Sequence, residues 1–169
     1  MGAEEQGADA VENRWLTIPR TLCFILNGSD ILLMKRAPHR RVFPNRYNGV
    51  GGHIERGEDP LTSARREVYE ETGLHVETMR LCAVYNIDAG INTGIMLFVF
   101  LGHTAERATI PNDEGSLHWI QLDQVLSLDL VDDLPHILPR ILKMKAGDAP
   151  LFVHASYDTD DQLILNFAE

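Results

Sequence analysis

Three glutamates crowd the end of one short stretch, Glu67, Glu70 and Glu71 in "REVYEETGL", and two adjacent glycines, Gly51 and Gly52, mark a bend ahead of them in "NGVGGHIERGEDP". At about 100° per residue, Glu70 and Glu71 fall about −60° and about +40° from Glu67, so on a helix the three carboxylates share one side. An acidic run is ordinarily a solvated face. That reading leaves a cost without explanation. Like charges at i, i+4 destabilise a helix by about 0.2–0.5 kcal/mol per pair, and acids near the C-terminal end oppose the helix dipole. Hard divalent cations would offset it, because they take carboxylate oxygens and keep positions open for phosphate and water.

The flanking residues define the helix that must hold these acids. Asp59 followed by Pro60 is a start signal, Gly73 is a stop, and Leu61, Ala64 and Val68 form a buried stripe beside the acidic side. Upstream, residues 20–26 read as a buried strand, "NGSD" as a hairpin turn and residues 31–34 as its partner. "KRAPHRRVFPNR" is a proline-interrupted loop and the strongly basic stretch of the chain. Downstream, strands are expected over 76–87 and 94–103, then "LHWIQL", a short helical segment opened by Asp123, a helix over 134–145 and a closing hairpin of "LFVHASY" and "QLILNF". Strands before, between and after two helices predict an α/β or α+β domain with a mixed sheet.

The 169 residues suit one domain, and 44% hydrophobic content suits a real core. Residues 1–13, small and acidic, read as a flexible tail, leaving 14–169 as the domain. No apolar run approaches the roughly 20 residues of a membrane helix, and the N-terminus lacks a signal-peptide pattern, so an intracellular, cytoplasmic protein is expected. Cys23 and Cys82 sit in apolar runs without metal-ligand spacing and are read as buried reduced thiols. A net charge of −10 argues against binding extended nucleic acid through a broad basic surface. A small anionic substrate fits if metal ions supply positive charge locally.

These residues carry a resemblance. Gly52, Glu58 six positions on, and Arg66 to Leu74 resemble the Nudix box, G-x5-E-x7-R-E-U-x-E-E-x-G-U with U aliphatic, at every defined position. The resemblance implies an α/β/α Nudix sandwich with a mixed β-sheet and a loop-helix-loop, which cleaves a nucleoside diphosphate linked to another group. It implies Glu67, Glu70 and Glu71 as Mg²⁺ ligands, with Gly52 in the metal set and Mn²⁺ as an alternative ion. Arg66 is expected to orient a carboxylate, with Glu58 its partner, and Gly51 and Gly52 to let the backbone approach the phosphates. His53 stands where many relatives have lysine, so a phosphate contact there would depend on pH.

Outside the box, "NRYNGVGG" and "HWIQLDQ…VDDLPHILPRIL" are similar to the MutT-like branch that acts on oxidised purine nucleoside triphosphates such as 8-oxo-dGTP. By that similarity Asn48, Asp132 and Asp133 would read the purine edge, Lys35 would join the substrate site, and Glu114, five residues before Trp119, would be a further metal-associated acid. Asparagine offers donor and acceptor together, and a carboxyl pair can share one proton. Other roles stay open: Asn48 as a turn holder, Asp132 and Asp133 as helix caps, Glu114 as a solvated loop acid. The branch carries tryptophan where this chain has Leu130, which buries a base face without aromatic stacking. The expected activity is Mg²⁺-dependent pyrophosphohydrolysis of purine nucleoside triphosphates. The alternatives are another diphosphate derivative (ADP-ribose, a dinucleotide or capped RNA) and a non-catalytic nucleotide-binding module.

Overall fold

Strand β1, Leu16–Asn27, divides its buried side chains between two faces, with Leu22, Phe24 and Leu26 in one apolar cluster and Cys23 and Ile25 in another. A strand's period of two makes that division, and burial on both faces explains the unbroken apolar run in the sequence. The structure, a computed structural model, describes residues 2–9 and 11–168. After β1 come β2 (Asp30–Arg36), β3 (Tyr47–Asn48), α1 (Pro60–Thr72), β4 (Met79–Ile87), β5 (Thr93–His103) and β6 (Gly115–Gln121). The chain continues with α2 (Leu134–Ile141), β7 (Leu151–Tyr157) and β8 (Leu163–Phe167), and 3₁₀ turns lie at Ala3–Gln6 and Val125–Ser127.

The sheet runs β3-β2-β1-β5-β4-β7-β8, with β6 also paired to β2. β1 with β5 and β4 with β7 are parallel and the other ladders antiparallel, so the sheet is mixed, as expected. Helix α1 covers one face, packing Ala64 and Val68 on Cys23, Ile25, Leu32 and Met34. Helix α2 covers the other through Leu134, Ile137, Leu138 and Ile141. The result is the α/β/α sandwich with a loop-helix-loop that the box implied. Among the described residues no helix is long and apolar enough to cross a membrane.

Helix α1 starts and stops on the residues that signal it. Asp59 accepts from the N–H groups of Leu61 at 2.9 Å and Thr62 at 3.0 Å, and Gly73, at φ 76°, donates to the Tyr69 carbonyl at 2.7 Å. Other boundaries moved. β1 begins at Leu16 rather than 20, because pairing with Thr93–Met96 of β5 continues through Pro19, where the apolar signal had broken. β4 begins at Met79; Leu74 and Val76 ahead of it are buried against the α1 cluster without belonging to a strand. The segment after Asp123 is only a 3₁₀ turn. Helix α2 ends at Ile141 rather than 145, with Pro139 inside it removing an N–H donor. Of the tail expected over 1–13, residues 1 and 10 lie outside the described residues, as does residue 169 of the domain expected over 14–169.

Val68 is fully buried under α1. Val68→Ala deletes two methyl groups from that contact and should cost about 1–3 kcal/mol, lowering the thermal midpoint by roughly 2–4 °C per kcal/mol. Turnover per folded molecule should stay nearly unchanged. An unshifted midpoint with lost turnover would mean that the two faces of α1 had been exchanged.

Candidate active site

The acidic side of α1 is graded from core to solvent. Glu71 lies in line with Ala64 and is buried, Glu67 is largely covered, and the Glu70 side chain is 56% exposed. The glycine loop closes over the buried end. It is seated on the edge of β1 by hydrogen bonds from Thr21 N–H to the Gly52 carbonyl (2.8 Å) and from Cys23 N–H to the Val50 carbonyl (2.7 Å). Gly51, at φ 143°, lies so near this strand that a Cβ would overlap the Thr21 carbonyl, and its N–H donates to Glu71 Oε2 at 2.8 Å. A Cβ at Gly52 would stand 2.5 Å from Glu67 Oε1. Both glycines therefore exist to bring backbone against backbone and backbone against carboxylate.

Arg66 organises the exposed end. It grips Glu58 with both arms of its fork, Nε to Oε1 at 2.6 Å and Nη2 to Oε2 at 2.9 Å, and reaches Glu67 at 2.8 Å, Glu70 at 3.1 Å and the His53 carbonyl at 3.1 Å. That grip, with a backbone N–H from Glu55, holds the Glu58 carboxyl well below its ordinary range, at about 2. His53 itself is exposed and contributes its backbone here. Glu71 is displaced the other way. Burial first, then the charges of Glu67 and Glu114, push its carboxyl up to about 7 against the pull of the Gly51 N–H and Arg36.

Glu114 ion-pairs with Arg36 at 3.0 Å and with Arg40. Its loop is tied to α1 by Asn112, whose side chain donates to the Glu71 carbonyl at 2.6 Å and accepts from Glu114 N–H at 2.8 Å. Neither Asn112 nor the two arginines stood out as site residues in the sequence. The run "KRAPHRR" was the available signal for the arginines, and an asparagine between two loops carries none.

A second cluster forms where β3 is sandwiched. Tyr47 pairs with Lys35 of β2 on one side and bridges to Leu130 on the other, through Tyr47 N–H to Asp129 (2.8 Å) and Val131 N–H to Tyr47 (3.0 Å). This sets the 129–133 segment beside Asn48. The Asn48 side-chain oxygen accepts from Gly49 N–H at 2.8 Å, and exposed Lys35 lies 5.7 Å from the Tyr47 ring. Arg46 fastens the arrangement, donating to Asp132 at 2.7 Å, to Asp129 at 3.3 Å and to the Leu130 carbonyl. Leu130 is only 4% exposed and packs into the core under α2. Asp133 stands at the start of α2 but makes no side-chain capping bond, so the capping role open to it in the sequence is not used.

The NUDIX domain family model matches residues 16–141. The chain belongs to the NUDIX family. This Nudix chain is 30% identical, over 127 residues, to the oxidized purine nucleoside triphosphate hydrolase of Mus musculus, covering 74% of its own length and 80% of the relative's. It is 42% identical over 56 residues to an m7GpppN-mRNA hydrolase of Danio rerio, a match covering 33% of this chain and 19% of that one. The crystal structure of the MutT protein from Bacillus halodurans superposes with a TM-score of 0.76 at 25% identity, over 89% of this chain and 97% of that one. The protein is thus a MutT-like Nudix hydrolase, of a family that works with divalent cations.

The residues present suit such ions. Glu67, Glu70 and Glu71 supply hard oxygen donors, Glu71 is a buried carboxyl short of counter-charge, and the missing Cβ of Gly52 leaves a cradle beside Glu67. Among the described residues no three acidic, imidazole or thiol side chains already converge as a cage; Glu67 and Glu70 lean on Arg66, and Glu114 on Arg36 and Arg40.

The raised Glu71 carboxyl makes stability depend on pH. The native chain keeps a proton there that the unfolded chain loses near its ordinary value of about 4.3, so stability falls as pH rises from there through about 7. Glu71→Gln should therefore raise the thermal midpoint in chelator at about pH 8 and change it little at about pH 4. Equal shifts at both pH values would show that the native carboxyl is not displaced.

Proposed function

We propose that this chain is a Mg²⁺-dependent pyrophosphohydrolase, with Mn²⁺ as an alternative ion, acting on purine nucleoside triphosphates. Oxidised purines such as 8-oxo-dGTP are among its substrates, the products are nucleoside monophosphate and pyrophosphate, and the role is sanitation of the cytoplasmic nucleotide pool. The Tyr47–Leu130 bridge carries the reading. It joins Asp132 and Asp133 to the strand bearing Asn48, and the same segment then runs into Gly51 and Gly52 over the acids of α1. Hydrogen-bonding groups suited to a purine edge thus adjoin carboxylates suited to a triphosphate. The resemblance to a purine nucleoside triphosphate hydrolase over most of both chains supports the same assignment.

In this reading Glu67, Glu70, Glu71, the Gly52 carbonyl and Glu114 would hold divalent cations, which neutralise phosphate oxygens and make a bound water more acidic. The chain's own groups do the rest. Gly51 and Gly52 let the backbone lie against the phosphates, and Lys35 and His53 flank them. Arg66, anchored on Glu58, keeps Glu67 and Glu70 in position. A carboxylate of the cluster takes the proton of the attacking water as the water oxygen bonds to phosphorus and the phosphoanhydride bond breaks. No side chain needs to become covalently attached. Asn48, Asp132 and Asp133 hydrogen-bond the base, and Leu130 packs beneath them.

A panel of nucleotides and diphosphate derivatives with Mg²⁺, scored by product analysis, tests this. Pyrophosphate should be released from purine triphosphates, and Glu67→Gln or Glu70→Gln should reduce kcat by about a hundredfold or more while the fold is kept. Preferential cleavage of capped RNA, ADP-ribose or a dinucleotide would replace the substrate assignment. Tight binding without turnover would make the protein a binding module, and near-normal activity in both variants would overturn the metal assignment.

A further inference from the structure

The arginines around the site each hold a carboxylate: Arg36 and Arg40 hold Glu114, Arg46 holds Asp132 and Arg66 holds Glu58. Arg20 is different. It is half-buried within β1, between Leu97 of β5 on one side and the His53 backbone on the other, and its Nε is buried with no hydrogen-bond partner among the described residues. Strand alternation puts its side chain on the face of Leu22, Phe24 and Leu26, the face that α2 covers. Arg20 pairs with Leu97, and Leu97 with Tyr85 of β4, so the three stand in register across the sheet. Tyr85 is 1% exposed, and its hydroxyl also lacks a partner. With neighbouring strands about 4.8 Å apart, the Cα atoms of Arg20 and Tyr85 are about 10 Å apart, on either side of an apolar leucine.

Buried donors without acceptors are uncommon and costly, and two on one face call for a partner from outside the chain. That face belongs to the proposed base site. Tyr47, Leu130 and Val131 pack in the same apolar cluster as Leu22 and Tyr85, and Gly49, next to Asn48, lies against Leu22 and Phe24. The phosphate-binding acids lie on the other side: α1 packs on the opposite face of β1, and the Gly51 N–H turns toward Glu71.

We propose that Arg20 is a specificity-determining residue that donates to the C6 carbonyl of a bound purine, with the Tyr85 hydroxyl as a second donor beside it, so that the site selects 6-oxopurine nucleoside triphosphates. This rests on the purine reading given above, and it adds contacts from β1 and β4 to those of Asn48, Asp132 and Asp133. A guanidinium has donors only. The carbonyl of guanine, 8-oxoguanine or hypoxanthine accepts from it, whereas the 6-amino group of adenine turns a donor against a donor.

Arg20→Met keeps a long apolar stem and removes the guanidinium. Calorimetric affinities of wild type and variant for dGMP, dIMP and dAMP, paired with kcat/KM for the three triphosphates with Mg²⁺, test the proposal. The guanine-to-adenine and hypoxanthine-to-adenine ratios should each fall by about tenfold in both measurements. The thermal midpoint of the free protein should hold or rise, because an unpartnered buried donor is gone. Tyr85→Phe, which deletes one oxygen, should lower the same ratios by a smaller factor; ratios unmoved there overturn its share of the contact. Ratios unchanged in Arg20→Met overturn the proposal. So does a uniform loss for all three nucleotides, which would make Arg20 a phosphate or sugar contact, and so does a hypoxanthine ratio that stays while the guanine ratio falls, which would move the contact to the 2-amino group. Affinity ratios that fall as stated, without turnover of any purine triphosphate, uphold the base contact and remove the pyrophosphohydrolase reading. Failure to bind any purine nucleotide removes both.

Discussion

The hydrogen bond from the Gly51 N–H to the buried Glu71 carboxylate closes the loop-helix unit, and the arrangement of the other acids depends on it. A carboxylate in line with the core stripe of a helix would ordinarily be expelled from an apolar environment or neutralised. Here the glycine loop brings a backbone donor to it, and the loop can do so only because residues 51 and 52 lack side chains. The Thr21–Gly52 and Cys23–Val50 hydrogen bonds then fix the loop to the central strand. The rigid sheet thus sets the distance between loop and helix.

Charge is distributed over this unit at some expense to stability. Arg66 satisfies Glu58, Glu67 and Glu70 at the solvent end, and Arg36 and Arg40 satisfy Glu114, but Glu71 at the buried end receives one N–H and the repulsion of its neighbours. Such a residual imbalance is what a site acquires when its missing partner is a cation supplied from outside. The basic stretch over 35–46 read in the sequence as a proline-interrupted loop. In the fold it provides part of the counter-charge, at Glu114 through Arg36 and Arg40, and at Asp132 through Arg46.

β3 has only two residues, yet it joins the halves of the site. Pairing to β2 on one side and to the 129–131 segment on the other, it carries Asn48 directly into the glycine loop. The groups proposed to read a base and those proposed to hold phosphates are therefore coupled through a few backbone hydrogen bonds. That coupling also makes Arg46, two residues before Asn48, a brace for the aspartates on the facing segment.

What the sequence determined by itself is local. The caps and stop of α1, its acidic side, the glycine bend and the double-sided strand follow from residue type and spacing, because helix angles, left-handed backbone and alternating burial are short-range consequences of covalent geometry. The grading of the three glutamates was implicit in those angles, since Glu71 lies nearest the Ala64 and Val68 stripe. Only the tertiary structure decided which distant groups meet: Glu114 with Arg36 and Arg40, Asn112 with Glu71, and Arg46 with Asp132. It also extended β1 through Pro19 by pairing with β5, withdrew Leu130 into the core and left Asp133 without a capping bond. Each of these depends on burial and on contacts between residues far apart in the chain, and neither is encoded in the spacing of neighbours.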